Sequence, residues 1–165
     1  VTTDRGDYES HRVVLAIGRR GIPRKLGVPG EDESPHVVYS LREPEAYSND
    51  SILVVGGGDS AVEAALALAE QPGNRVKMSY RRSSFSRIKP GNHERIEAAL
   101  KQGTIDVLWE TAPFEIGTDH VVLEDQAGAR TEKRADGVFV FIGGELPTDF
   151  LRSAGVEIET HFGAP

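Results

Sequence analysis

The junction at residues 51–61 restricts the fold most, because an apolar strand must pass directly into a helix there. The segment SILVV is rich in β-branched residues, GGG follows it, and residues 60–70 carry the apolar spacing of a helix. Gly56, Gly58 and Ala61 fit the pattern G-x-G-x-x-A. In this pattern the first glycine permits a tight turn, and the small last residue lets the helix pack closely on the strand. The junction therefore predicts one strand–turn–helix unit.

The rest of the chain continues this alternation and then changes period. A short antiparallel β-meander is expected between the last helix and an uncharged returning strand, whose apolar sequence is typical of a central parallel position. The pattern predicts an α/β protein with a parallel sheet, helices and a small antiparallel insertion. Strands are predicted at 12–18, 51–55, 76–80, 105–108, 114–116, 121–123, 129–134 and 137–144, and helices at 60–70 and 94–102.

Composition narrows the classes of function. The 165 residues are 38% hydrophobic, enough for a single core, and the net charge of −7 argues against nucleic-acid or membrane-surface binding. The chain has no cysteine, so it forms neither a disulfide nor a thiolate metal site. Its five histidines are scattered without ligand spacing, and we expect no metal. Without an apolar span or leader, a cytoplasmic location is expected.

The glycine junction has two interpretations: a tight turn alone, or a binding loop for the pyrophosphate of a dinucleotide. Gly56 permits the turn, Gly58 lets a phosphate approach the backbone, and Gly57 lies between them in the candidate binding loop. The helix that follows offers free N–H groups and a positive dipole end to the phosphates. Asp59 or Ser60 is placed to cap its first turn.

The next strand end favours the binding loop. Sites for NAD usually carry an acid there, which binds the ribose hydroxyls. Here the sequence is SYRRSSFSR, and residues 71–93 hold six Lys or Arg residues and no acid. Such a cluster is most often a solvated, charged loop that binds no ligand, but guanidinium groups are also well suited to bind a 2′-phosphate. We therefore predict NADP(H) as cofactor, held in part by Arg81, Arg82 and Arg87.

These segments resemble the NADP-binding domain of the low-molecular-weight thioredoxin-reductase family of flavoproteins, which have a Rossmann-like FAD/NAD(P)-binding fold. The flanks VVLAIGRRGIPRKLGVPGED and ADGVFVFIGGELPTDFL are similar to the segments that leave and re-enter the FAD domain. The resemblance implies that residues 56–61 hold the pyrophosphate and that the three arginines hold the 2′-phosphate. It places Glu63 near the nicotinamide; the alternative interpretation is that Glu63 is only an exposed carboxylate of the helix. It places Ile142 and Gly143 beside the nucleotide.

Two departures limit what the resemblance implies. Residues 37–50 lack the C-x-x-C of thioredoxin reductases. In this respect the chain is more similar to the cysteine-free branches, the ferredoxin–NADP reductases and the bacillithiol-disulfide-reductase-like proteins. A second glycine fingerprint, for FAD, is also missing. We therefore expect residues 1–35 to connect from an FAD-binding domain, residues 36–143 to form the NADP-binding domain, and residues 144–165 to return toward that domain.

The function expected from this resemblance is to position NADPH for hydride transfer to FAD held by a part of the longer protein that is not in this chain. This chain would then carry no catalytic residue of its own. The expected partners are the FAD-binding domain, a redox protein as electron acceptor and, in a homodimer, a second copy. The alternatives are a non-enzymatic dinucleotide-binding or redox-sensing module and a methyltransferase, although the basic cluster argues against the methyltransferase.

Overall fold

A computed structural model describes residues 1–14, 22–145 and 148–159. The chain divides into two compact units, one formed by Pro23–Gly143 and the other by Val1–Ile22 together with Gly144–Pro165. Each unit is described by itself below. All twelve candidate binding residues, which lie between positions 56 and 143, belong to the larger unit.

A five-stranded parallel sheet forms the centre of the larger unit, with strand order β4-β11-β5-β6-β7. Every residue of β5 is buried, and so is every residue of β11, which explains why both strands are almost entirely apolar. The strands are β4 (Val37–Val38), β5 (Ser51–Val55), β6 (Arg75–Tyr80), β7 (Ile105–Trp109) and β11 (Gly137–Val140).

Two helices cover one face of this sheet, α1 (Asp59–Ala69) and α2 (Pro90–Gln102). The core on this side joins residues of α1 to Ile52, Val54 and Phe139 of the strands. Pro90 begins α2, where its missing N–H costs nothing, and Gly103 ends it with a φ of 72° that favours glycine. A 3-10 turn, Pro44–Ala46, precedes β5.

A three-stranded antiparallel meander covers the opposite face, and its order is β8-β9-β10. Val121 and Leu123 of the meander pack against Leu53 and Val138 of the parallel sheet. The larger unit therefore has three layers: helices, parallel sheet and meander. The meander strands are β8 (Thr111–Ile116), β9 (His120–Asp125) and β10 (Arg130–Arg134).

The predicted α/β fold is confirmed, and most predicted elements are present within a few residues of their expected ends. The uncharged strand is central, between β4 and β5. Helix α2 begins at Pro90 rather than at residue 94; its first two residues, proline and glycine, are exposed and give no apolar helical signal in the sequence. No strand forms at 12–14, and residues 15–18 of that predicted strand lie outside the described residues.

The smaller unit has little regular structure in its described part. Strands β1 (Thr2–Thr3) and β2 (Gly6–Asp7) form an antiparallel pair. Its exposed large apolar side chains are Val1, Tyr8, Val13, Val14 and Phe150.

Within the described ranges, no helix is both long and apolar enough to cross a membrane. The remaining short elements of the chain are β3 (Ile22–Pro23), β12 (Gly144–Glu145) and α3 (Thr148–Ser153).

A buried carboxylate organises the loop that begins the larger unit. Glu31 is 4% exposed and accepts hydrogen bonds from the backbone N–H groups of Leu26 and Gly27, at 2.8 and 2.7 Å, and from the hydroxyl of Tyr39, at 2.8 Å. Burial alone would raise the pKa of Glu31, but these donors together hold its pKa below the ordinary value. The loop therefore depends on an ionised Glu31.

We expect Glu31→Gln to lower the free energy of unfolding at pH 7 by about 1–3 kcal/mol, since the amide has only one acceptor oxygen and leaves at least one donor of the loop without an acceptor. Because the folded pKa of Glu31 is lowered, its stabilisation is complete above the unfolded pKa and is lost as pH falls through the folded value. The difference between the two proteins should therefore shrink at acid pH. Urea denaturation from pH 7 downward measures it.

Glu33→Gln is the matched control, because Glu33 lies two residues away and is exposed. Its effect at pH 7 should stay within about 0.5 kcal/mol. Equal losses for the two variants would contradict the role given to Glu31.

Candidate functional site

The glycine turn lies where the strand order of the parallel sheet reverses. The chain runs from β5 to β6 on one side and returns in β11 on the other. The N–H of Gly56 donates to the carbonyl of Ser79 at the end of β6, at 3.0 Å, and the N–H of Phe141 donates to the carbonyl of Val55 at 2.8 Å. The turn is therefore at the carboxyl edge, at a switch point, which is where open α/β sheets bind ligands.

Two of the three glycines are required by packing. Gly56 has a φ of +136°, which favours glycine, and a Cβ there would collide with the carbonyl oxygen of Phe141. A Cβ on Gly57 would collide with the ring of Tyr80, which is itself 8% exposed. These positions have a structural explanation that requires no ligand.

Gly58 is different, because the space around its Cα is open. A Cβ built there would have no protein atom within 4 Å, and its φ of −97° and ψ of 179° suit any residue. Gly58 is also the N-cap of α1, and no side chain caps that helix. Ala61 is fully buried beneath the turn, whereas Ser60 is exposed. The backbone at Gly58 and the start of α1 together form an accessible site for an anion.

The expected capping by Asp59 or Ser60 is wrong. Asp59 turns away from its own helix, and its Oδ1 accepts the backbone N–H of Lys89 at 2.8 Å and the Nδ2–H of Asn92 at 2.7 Å. Those two hydrogen bonds lower the pKa of Asp59. The same Nδ2 of Asn92 donates to Oε1 of Glu63 at 2.9 Å, so the exposed Glu63 has a protein partner. Two predicted site residues therefore hold the start of α2.

The structure separates the six predicted basic residues into two groups. At about 3.3 Å per residue, Arg75 at the start of β6 lies about 20 Å from Arg81 beyond its end. Arg75 donates to the hydroxyl of Ser51, at 3.2 Å, and Lys77 pairs with Asp106, at 2.9 Å. These two cations therefore lie toward the amino edge, away from the glycine turn.

Three arginines follow the carboxyl end of β6. None of their guanidinium groups forms an ion pair with a residue in the described part of the chain. Arg82 is half-buried and Arg87 is exposed. Arg81 is exposed beside the meander, where it lines a cavity of about 210 Å³ together with Glu110 and Glu124. Arg82 and Arg87 are therefore the freer cations for a ligand at this edge.

An aromatic cluster that the sequence reasoning missed supports this edge. The ring of Tyr80 is stacked on Phe85 at 5.6 Å, and Phe85 meets Trp109 edge-on at 4.8 Å. Phe85 therefore fastens the segment after β6 to the sheet. The available signal was three aromatic residues near two strand ends in a chain that is only 7% aromatic.

The residues after β11 complete the edge. Ile142 is half-buried and packs against the core between the sheet and the meander. Gly143 is exposed with a φ of +98°, and its carbonyl accepts the N–H of Arg24 at 3.1 Å. The carbonyl of Phe141 lies beside Gly56. Ile142 and Gly143 therefore come directly after a residue that adjoins the glycine turn.

Known proteins are similar to this sequence over nearly its whole length. The family described as pyridine nucleotide-disulphide oxidoreductase matches residues 1–164. A ferredoxin–NADP reductase of Ignicoccus hospitalis is 32% identical over 158 residues, which are 95% of this chain and 51% of that protein. The bacilliredoxin reductase Bdr of Bacillus subtilis is 32% identical over 166 residues, which are 100% of this chain and 51% of that protein.

Some solved structures are similar to this chain in both fold and sequence. Bacillithiol disulfide reductase Bdr from Bacillus cereus has a TM-score of 0.77 and 31% identity, over 84% of this chain and 42% of that one. A thioredoxin reductase from Streptococcus pyogenes has a TM-score of 0.64 and 30% identity, over 73% of this chain and 40% of that one. The Rossmann-like fold is thereby confirmed.

The chain spans about half the length of the curated relatives it matches. Those relatives include proteins named as thioredoxin, ferredoxin–NADP and bacilliredoxin reductases, and this chain itself has no cysteine. The resemblance indicated by the glycine turn and the two adjacent arginines is therefore confirmed: the chain belongs to the pyridine nucleotide-disulphide oxidoreductase family.

Proposed function

We propose that residues 23–143 bind NADP(H) and position it for a flavin-dependent oxidoreductase of which this chain forms a part. The open backbone at Gly58, beside the uncapped start of α1, carries this proposal. Packing explains the other two glycines of the turn but gives no reason for Gly58. An approaching pyrophosphate would supply that reason, because its oxygens need the space that a side chain would fill.

The residues around Gly58 fit the rest of an NADP(H) molecule. The N–H groups at the start of α1 would face the pyrophosphate, and its dipole would favour the negative charge. Arg82 and Arg87, which have no described ion-pair partner, would hold the 2′-phosphate, with Arg81 as a further cation. The end of β6 offers no carboxylate for the ribose hydroxyls of NAD. This combination favours NADP(H) over NAD(H).

When bound, NADP(H) supplies hydride chemistry, with FAD in the complete protein as the other carrier. The contribution of this chain is to hold and orient the nucleotide, through Gly58, α1 and the arginines. Ile142 and Gly143 would border it on the side of β11. With no cysteine among its residues, this chain does not pass electrons through a dithiol of its own. We propose that the FAD-binding domain of the complete protein and a redox protein acceptor are its partners.

The glycine turn gives a first test. We expect Gly58→Val to abolish NADP(H) binding while the chain stays folded, because a Cβ at this position has no protein atom within 4 Å and the side chain would occupy the approach of the pyrophosphate. Titration calorimetry with NADP⁺ measures binding, and thermal unfolding measures the fold.

Gly57→Val is the matched comparison, because its side chain would collide with Tyr80. It should lower the melting temperature clearly more than Gly58→Val, whose only expected structural cost is a poorer N-cap for α1. Normal NADP⁺ affinity in a folded Gly58→Val protein would show that the open backbone is not the binding site.

The arginines give a second test. The wild-type chain should bind NADP⁺ at least about tenfold more tightly than NAD⁺, since charge-assisted hydrogen bonds contribute about 1.5–3 kcal/mol each. The double variant Arg82→Ala/Arg87→Ala should lose this preference and keep its affinity for NAD⁺. Calorimetric titration of both nucleotides measures the ratio.

Arg75→Ala/Lys77→Ala removes the same charge from the opposite edge of the sheet and should keep the preference for NADP⁺. A similar loss in both double variants would mean that net charge, rather than a phosphate site after β6, sets the preference.

A further inference from the structure

We propose that Asn92 is a positioning residue that determines the preference for NADP(H), by fastening the arginine segment to the helix that follows the glycine turn. The arginine segment comprises residues 81–89, between β6 and α2. This inference rests on the proposed function, and it concerns a residue that contacts neither the glycine turn nor an arginine in any described hydrogen bond.

Asn92 is a buried polar residue with an unusual pair of partners. It is 8% exposed, and both hydrogens of its Nδ2 are used, one toward Oδ1 of Asp59 at 2.7 Å and one toward Oε1 of Glu63 at 2.9 Å. Asp59 and Glu63 are four residues apart, so they lie on the same face of α1. One amide of α2 therefore bridges two carboxylates in the first turns of α1.

The backbone strengthens this bridge. The N–H of Lys89, the last residue of the arginine segment, donates to the same Oδ1 of Asp59 at 2.8 Å. The end of the segment is thereby tied to the residue that directly follows Gly58. Asn92 keeps Asp59 in place for that bond, because it supplies the second donor to the same oxygen.

The segment is also attached to the sheet. Ile88 packs against the core, and the carbonyl of Arg82 accepts the N–H of Glu110 at 3.3 Å. A further anchor is Phe85, which stacks on Tyr80 behind Gly57. Arg82 precedes this anchor, and Arg87 lies between it and Lys89. The backbone that carries the two arginines is therefore attached to Tyr80 through Phe85 and to Asp59 through Lys89. Tyr80 and Asp59 both lie beside the glycine turn. Losing the Asn92 amide would loosen the tie between Lys89 and Asp59, which attaches the segment to α1. The arginine segment could then shift relative to a phosphate bound at the start of α1.

Charge adds a second reason for the bridge. Asp59 and Glu63 are carboxylates at the start of the helix proposed to receive a pyrophosphate, where bare negative charge would repel it. The Nδ2–H groups of Asn92 and the N–H of Lys89 engage these carboxylates and draw them toward α2. Asn92 is thus suited to hold the cations near the site and the anions away from it. The second effect acts on the pyrophosphate that both nucleotides carry, so the ratio of their affinities reports the first effect alone.

A merely structural role and a positioning role differ in a measurable way. A structural asparagine would, when replaced, reduce binding of NADP⁺ and NAD⁺ alike, in proportion to the protein that unfolds. A positioning asparagine would mainly reduce NADP⁺ binding, because NAD⁺ lacks the 2′-phosphate that the arginine segment contacts. The ratio of the two dissociation constants separates these outcomes.

The test compares Asn92→Ala with Asn74→Ala in the 165-residue chain. Asn74 is the matched control, since it donates to the carbonyls of Leu68 and Tyr47 at 2.9 and 3.1 Å, at the opposite end of α1. Both variants should lower the melting temperature. Only Asn92→Ala should reduce the preference for NADP⁺ over NAD⁺, by about tenfold, the loss of roughly one charge-assisted contact. Titration calorimetry with NADP⁺ and NAD⁺ measures the ratio.

Each result decides the matter. A wild-type preference that survives in Asn92→Ala overturns this inference and leaves the proposed function intact. A wild-type chain that binds both nucleotides equally overturns the NADP(H) preference of the proposed function, and this inference with it. If Asn92→Ala shows no cooperative unfolding, the ratio is measured on Asn92→Ser, which keeps one donor. An unchanged ratio there also overturns the inference.

Discussion

The close approach of backbone and side chains at the glycine turn is the constraint on which the site depends. The chain must leave β5 between the ends of two neighbouring strands, with the carbonyl of Phe141 on one side and the ring of Tyr80 on the other. Gly56 and Gly57 make this passage, and buried Ala61 allows α1 to lie directly on the sheet. The start of α1 is therefore fixed at the carboxyl edge, with its N–H groups facing outward at Gly58. A longer turn would satisfy the chain but would not present the helix start in this way.

The fold was predictable from the sequence because its signals are local. Each parallel strand is a short apolar run, α1 has a regular apolar stripe, and the meander alternates over a few residues between turns. The geometry of the candidate site was predictable only where it is equally local, as in the strand–turn–helix junction at Gly56 and Gly58. Asp59 was assigned to its own helix because a helix start usually uses such a residue as a cap. Its partner Asn92 lies 33 residues further along the chain, and no local pattern indicates that pairing.

The same limit applies to the basic residues. In the sequence, the six cations of residues 71–93 form one cluster, and only the strand geometry separates them. Extended chain carries Arg75 and Lys77 to the amino edge, where Ser51 and Asp106 engage them. A count of charges along the sequence therefore overstates the positive charge at the glycine turn. The geometry leaves the arginines beyond the end of β6, of which Arg81 shares a cavity with acidic side chains of the meander.

The distribution of partners then distinguishes candidate binding residues from supporting ones at this edge. Asp59, Glu63, Lys89 and Asn92 are joined to one another, and Tyr80 and Phe85 are joined by their rings. The guanidinium groups of Arg82 and Arg87 have no such partner within the described residues, and the space beside the Cα of Gly58 is open. Carboxylates are abundant in this chain, whose net charge is −7, yet neither guanidinium group pairs with one among the described residues. The supporting groups fix α1 and the arginine segment relative to each other, and the groups that remain unengaged are those suited to an anion with two separate phosphate positions.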